Sequence, residues 1–214
     1  MINLQNVYLS YTKEYYTLFD VSLRVAEGKT VVVYGKGESG KSSLLRVVAG
    51  FEQPTMGTAT IKGVACDKVD FKNSVSMGYL PTEGVFKEKK SVMYNLQYPL
   101  KLRKVDKDIS EIKINNAIST YDLGTLSKLR MRSLQAFDRI KVALARFSLR
   151  NIDLFVIDDI FSTVSASDAK KLVKYIQELI KNNNATAIIA CSDESISKLF
   201  KGEVVNLEQG SISA

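Results

Sequence analysis

The chain has 214 residues, 45% of them hydrophobic, a formal net charge of +7, two cysteines and no histidine. That length holds one domain or one and a half, and the absence of histidine excludes His-based general base catalysis and His-ligated metal chemistry. The positive charge suits polyphosphate, anionic lipid headgroups or nucleic acid about equally and selects none of them.

No apolar run approaches the roughly 18–20 residues that span a bilayer, and the opening MINLQNVYLS has no basic region followed by an apolar stretch, so a cytosolic chain is expected. Cys66 and Cys191 match no metal or redox spacing and read as reduced core thiols. In chain order, Ile2 to Tyr11 and Leu18 to Val25 alternate apolar with polar residues, which predicts two strands of a hairpin around a polar and aromatic turn, Thr12 to Tyr16. Glu27-Gly28-Lys29 then turns the chain into Val31 to Tyr34, a β-branched run suited to a strand buried on both faces.

A phosphate-binding loop follows. Gly35, Gly40, Lys41 and Ser42 fit G-x-x-x-x-G-K-[ST], in which glycines let backbone N–H groups curl around phosphate oxygens; Gly37, Ser39 and Ser43 complete the expected nucleotide-contacting set. Lys41 is expected to reach the terminal phosphates and the Ser42 hydroxyl a Mg²⁺. Leu44, Leu45, Val47 and Val48 recur at helical spacing until Gly50, so the loop opens into a helix whose N-terminal dipole also favours an anion. Pro54 and Gly57 punctuate a connection into a short strand, Thr58 to Ile61, closed by Gly63.

By this point the chain resembles the nucleotide-binding subunit of ATP-binding cassette (ABC) transporters, nearly end to end. Asp20-Val21-Ser22-Leu23-Arg24-Val25 up to Gly28 matches the family's lead-in to the phosphate loop, and Gly50 to Gly63 matches its G-x-x-x-P-x-x-G-x-x-x-I-x-G segment. The resemblance implies an α/β fold, a P-loop NTPase with a mixed central sheet, an N-terminal antiparallel β subdomain and a small helical subdomain. It places a RecA-like core at about 1–80 and 140–214 and the helical part at about 83–139. It puts Tyr11 where the family stacks an aromatic on adenine, a role that needs only a flat π-face. Between Met77 and Arg103 it places the link to the helical subdomain, with Ser91 capping a helix that Pro99 bends or ends. Asp106 to Tyr121 shows helical periodicity through Ile109, Ile112 and Ile118.

Several positions depart from the family pattern. Its loop glutamine, which touches Mg²⁺ and the attacking water and lies where the membrane partner docks, is Thr82 after Pro81, leaving at most a water-mediated metal contact. Anchored on Val142-Ala143-Leu144-Ala145-Arg146, the L-S-G-G-Q signature slot is filled by Leu134-Gln135-Ala136-Phe137-Asp138. In the family that loop presses backbone N–H groups and a serine onto the γ-phosphate held by the opposite subunit. Leu154-Phe155-Val156-Ile157-Asp158-Asp159 reads as a strand ending in two carboxylates, with Asp158 placed to hold Mg²⁺. Asp159 stands one methylene short of the family's catalytic glutamate, and a displacement of about 1 Å costs of order a hundredfold in rate. Ser165 replaces the aspartate of the dimer-contact loop, and Ser192 the switch histidine. Ser167 to Lys181 reads as an amphipathic helix stopped by three asparagines, Thr186 to Cys191 as a buried strand, and Gly202 to Leu207 with Gly210 to Ile212 as a closing hairpin.

Residues that bind nucleotide and magnesium are thus kept, while those that position water, sense the γ-phosphate or complete a neighbour's site are changed. The expectation is a subunit that binds ATP and Mg²⁺ and hydrolyses slowly or not at all. It would sit on the inner face of a membrane through a membrane-embedded transporter subunit and a second nucleotide-binding subunit, with no specific nucleic acid partner. An active transport ATPase using Asp159 as its carboxylate is the alternative, ahead of a scaffold that no longer binds nucleotide. A P-loop kinase or GTPase explains none of the remaining segments.

Overall fold

Two hydrophobic patterns, alternating near the N-terminus and continuous further on, give two different sheets. The computed structural model describes residues 1–12, 15–82 and 85–213. In β1 (Ile2–Leu9) and β2 (Leu18–Val25), which pair antiparallel, Ile2, Leu4, Val7 and Leu9 face inward with Leu18, Val21, Leu23 and Val25. Leu4 and Val7 reach the same face across an odd spacing because the register shifts between them, with Asn6 at φ 46°. β1 also pairs with β4 (Met56–Ile61), which pairs with the short β5 (Val64–Ala65), giving the order β2-β1-β4-β5. The first strand stops at Leu9, short of the expected Tyr11. Lys13 and Glu14 of the expected turn, and Glu83 and Gly84 in the expected link to the helices, lie outside the described residues.

The second sheet contains β3 (Thr30–Tyr34), β6 (Met77–Leu80), β7 (Leu154–Asp158), β8 (Thr186–Cys191), β9 (Glu203–Glu208) and β10 (Ser211–Ser213), in the order β10-β9-β3-β8-β7-β6. All its neighbours run parallel except β9 and β10, so the sheet is mixed. Successive residues of its central strands enter two different cores: Val31, Val33, Leu154, Val156, Ile188 and Ala190 on one face, Val32, Phe155, Ile157 and Ile189 on the other. Burial on both faces is why these strands read as unbroken apolar runs. The first core is shared with the antiparallel sheet and α1 (Lys41–Val48), the second with α4 (Ala136–Ser148) and α5 (Ala166–Asn183).

α2 (Val92–Leu102), α3 (Lys107–Thr120) and α4 pack on one another around Leu96, Leu100, Ile114, Ala117 and Leu144. Ser91 caps α2 by accepting from Tyr94 N–H, but Pro99 does not end the helix; lacking only a donor for the Asn95 carbonyl, it is carried through to Leu102. α3 has the expected extent but a different inner face. Ile114, Ala117 and Tyr121 are buried and Ile118 partly so, whereas Ile109 and Ile112 are 50% and 61% exposed. At 100° per residue, positions 114, 117, 118 and 121 form one stripe while 109 and 112 fall on the far side of the helix. α5 begins at Ala166, capped by the Ser165 hydroxyl rather than at Ser167. It runs through two of the three asparagines, and Asn184 alone, at φ 48°, stops it. A short α6 (Glu194–Ser197) precedes β9.

Candidate functional site

The C-terminal ends of β3, β7 and β8 converge on the loop 35–40 that feeds α1. Gly35 is obligatory there: a Cβ would lie 2.4 Å from both the Leu207 carbonyl oxygen and Ser39 Oγ. Gly40, at φ 96°, has Thr17 O only 2.7 Å from where its Cβ would be. A Cβ on Gly37 would meet nothing within 4 Å beyond its chain neighbours, so that flank of the loop is open. Lys41 is buried, and its Nζ donates to the carbonyls of Gly35 (2.6 Å) and Lys36 (2.8 Å) and to Ser39 Oγ (3.3 Å). Burial lowers its pKa below the ordinary lysine value, against the pull of Asp159 and Asp158. Three oxygens of its own loop thus hold the amine at the mouth of the site.

Ser42 Oγ donates to Asp158 Oδ1 at 2.9 Å, across from α1 to the end of β7. Burial raises the Asp158 carboxyl above the usual carboxylate range, with the Ser42 bond opposing and Asp159 adding to the shift. A hydroxyl and a carboxylate at this spacing are hard oxygen donors of the kind Mg²⁺ takes alongside phosphate oxygens, so the residues present fit the ion. Thr82 Oγ1 donates to the Asp158 carbonyl at 2.8 Å, bracing the end of β7 from the β6 side. Asp159 adopts φ 41°, and its Oδ1 accepts from both the N–H (3.1 Å) and the hydroxyl (3.0 Å) of Ser192. Next to it, burial pushes the Cys191 thiol up to about 11 and, far from the site, the Cys66 thiol up to about 12, so both stay protonated.

Tyr11 stands at the rim, 56% exposed, its hydroxyl bonded to Glu52 and to Ser43 (3.0 Å). The slot Leu134 to Asp138 lies at the start of α4, with Gln135 as a cap residue that makes no side-chain capping bond. Phe137 folds back against the core, with Lys141 and Lys171 5.1 and 5.5 Å from its ring centre, and those lysines pair with Asp138 (3.0 Å) and Asp168 (3.1 Å). The start of α4 is thereby fastened to the start of α5 by contacts within the chain.

The family model described as ABC transporter matches residues 18–162, more than half of the chain. The chain belongs to the ABC transporter family. Among curated relatives of this cassette, the sn-glycerol-3-phosphate import ATP-binding protein UgpC of Burkholderia thailandensis is 26% identical over 98% of the chain and 58% of the relative. The lactose transport ATP-binding protein LacK of Rhizobium radiobacter is 29% identical over 89% of the chain and 52% of the relative. The cassette thus spans little more than half the length of these relatives. In fold it is similar to the dimeric structure of MJ0796, a bacterial ABC transporter cassette (TM-score 0.84, 20% identity, covering 100% of this chain and 97% of that one). It is equally similar to cbiO1 from Clostridium perfringens, part of the cbiONQ complex (TM-score 0.85, 17% identity, 100% and 86% covered). These likenesses bear out the expected α/β architecture of an ABC cassette.

The structure brings Gly35, Gly37, Ser39, Gly40, Lys41, Ser42, Ser43, Asp158, Asp159, Thr82 and Tyr11 around one loop. Three pairings had no sequence signal: Ser192, noted only for standing in the switch-histidine slot, with Asp159; Glu52 with Tyr11; and the Leu207 carbonyl against the loop. Each pairing joins residues remote in sequence.

Proposed function

We propose that this chain is the ATP-binding subunit of an ABC-type import complex, binding Mg-ATP through the loop Gly35 to Ser42 and hydrolysing it weakly or not at all, in a regulatory or architectural role. Import is carried over from relatives named as import ATP-binding proteins. The observation that carries the reading is the contrast between two halves of the machinery. Lys41, Ser42 and Asp158 are buried or bonded in place for a triphosphate and its magnesium, whereas the slot 134–138 offers neither serine nor glycine and its first turn is fastened to α5 through Phe137. The loop N–H groups and α1 would bind phosphate, Lys41 would neutralise it, and Ser42 with Asp158 would hold Mg²⁺, which when bound supplies charge neutralisation at the phosphates.

In this reading residues from about 83 to 139 form the helical subdomain, and the chain attaches to a membrane through a partner, since no helix among the described residues is long and apolar enough to cross one. An open cleft beside Pro81 and Phe86 supports that attachment: Arg103, Arg146 and Arg150 line it, and none of them pairs with a carboxylate among the described residues. One observation favours the active alternative. Asp159 is not adrift but fixed by two donors from Ser192, as a working carboxylate would be. Steady-state ATPase activity measured beside ATP affinity, with and without Mg²⁺, separates the two. Tight Mg-ATP binding with turnover near background is expected; turnover of roughly 1 s⁻¹ or more by the chain alone would install the active reading.

A further inference from the structure

We propose that Glu52 is a positioning residue for the base of the nucleotide: it fastens the Tyr11 ring to the helix that carries the phosphate loop, so that base platform and phosphate cradle form one rigid unit. This rests on the reading of Tyr11 as the base-stacking aromatic.

Tyr11 comes from the segment after β1 and has no strand pairing of its own. Its ring is exposed, which leaves a face available to a base, and its hydroxyl is the part that is held. That hydroxyl donates to Glu52 Oε2 and accepts from Ser43 Oγ. The other carboxylate oxygen of Glu52, Oε1, pairs with Arg46 Nε at 2.6 Å, and the Glu52 side chain is only 14% exposed. Ser43 and Arg46 lie three residues apart on one face of α1, so both anchors of the tyrosine belong to that helix or to the carboxylate bound to it. The backbone after α1 closes the arrangement, with Phe51 N–H bonded to the Arg46 carbonyl at 2.9 Å. A free tyrosine would lose side-chain entropy on ordering against a base; one already ordered by two hydrogen bonds does not.

The chemistry recognised is a flat heteroaromatic base joined to a polyphosphate, so the measurement compares ATP with inorganic tripolyphosphate, which has the anion and lacks the base. Affinities of both are measured by calorimetry for the unmutated chain, Tyr11→Ala, Tyr11→Phe, Glu52→Ala and the Tyr11→Phe/Glu52→Ala double variant. Tyr11→Ala should lower the ATP-to-tripolyphosphate affinity ratio about tenfold or more, the usual worth of one base on one aromatic face. Glu52→Ala should lower that ratio about fivefold and Tyr11→Phe, which also loses the bond from Ser43, at least as much; the double variant should fall no further than Tyr11→Phe, because Glu52 acts only through the tyrosine hydroxyl. Any effect of freeing Arg46 on the phosphates is common to both ligands and cancels in the ratio. Tyr11→Phe removes one exposed hydroxyl and so tests the bond without disturbing the fold. An unchanged ratio in Tyr11→Ala sinks the stacking reading itself. A lowered ratio in Tyr11→Ala with wild-type ratios in Glu52→Ala and Tyr11→Phe leaves stacking in place and overturns the role of Glu52.

Discussion

Lys41→Met tests the phosphate site without confusing loss of ligand with loss of fold. In the nucleotide-free chain the ammonium is already dehydrated and held by three oxygens of its own loop, so most of its desolvation is met before any ligand arrives. What it gains from a phosphate is therefore close to the full attraction of two opposite charges, about 4 kcal/mol at 4 Å with an effective dielectric constant near 20. The loop N–H groups and the α1 dipole remain in the variant, so the expected loss of ATP affinity is about 10²–10³-fold rather than complete. Stability should move differently. Because burial holds the lysine pKa below 10.5, the folded chain releases this proton before the unfolded chain does, and unfolding free energy rises with pH between the folded value and 10.5. That rise should vanish in Lys41→Met. Isothermal calorimetry gives the first quantity and denaturant titrations at pH 8 to 11 the second. A variant that keeps ATP affinity within a factor of three would refute the placement of the amine against the phosphates.

Other expectations follow from the same geometry. Asp158→Asn should abolish the gain in ATP affinity that Mg²⁺ brings; in the unmutated chain that gain should fade on acidification at a higher pH than an ordinary aspartate dictates, since burial raises this carboxyl. Without nucleotide the sign reverses: the raised carboxyl contributes stability that is full below 3.8 and lost as pH rises through its folded value, a trend Asp158→Asn should remove in acid denaturation curves. An ATP-driven homodimer should be weak, because losing two charge-assisted bonds at the 134–138 slot costs about 3–6 kcal/mol of closure; a tight ATP-dependent dimer on size-exclusion chromatography without hydrolysis contradicts this. Asp159→Glu alone should leave turnover near background, since the longer side chain loses its fit to Ser192 and such groups act as a unit. Asp159→Glu with Ser192→His and Thr82→Gln should raise turnover only beside a partner whose signature loop is intact.

How much of this was legible in the sequence depended on how local each signal is. The phosphate loop was readable because its residues are consecutive and each has a mechanical duty. The central strands were readable because burial on two faces leaves only apolar residues in them. The inner face of α3 was not: an apolar residue at every third or fourth position suggests a stripe, but Ile109 and Ile112 lie off the line through Ile114, Ala117 and Tyr121. The insertion of β9 between β3 and β10 left no trace either, since pairing across some 170 residues depends on what else the sheet contains. At the site, Asp158, Asp159 and Ser192 stood out by position, yet the bond by which Ser192, just past the end of β8, holds Asp159 could be found only in three dimensions.

The wall that Leu207 and Gly210 provide beside the loop bears on the order in which the site comes into being. Gly210 donates its N–H to the Ser39 carbonyl, its own carbonyl receives Phe19 N–H, and Leu207 O closes against Gly35. A nascent chain emerging from a ribosome has its whole phosphate motif in place by residue 43, but the strand that flanks β3 is made some 160 residues later. Until then one edge of β3 is bare and the loop has nothing behind it. Capture of nucleotide is therefore a late event in the birth of this molecule, and ATP binding to stalled translation intermediates of increasing length should switch on only after β9 and its turn have been added.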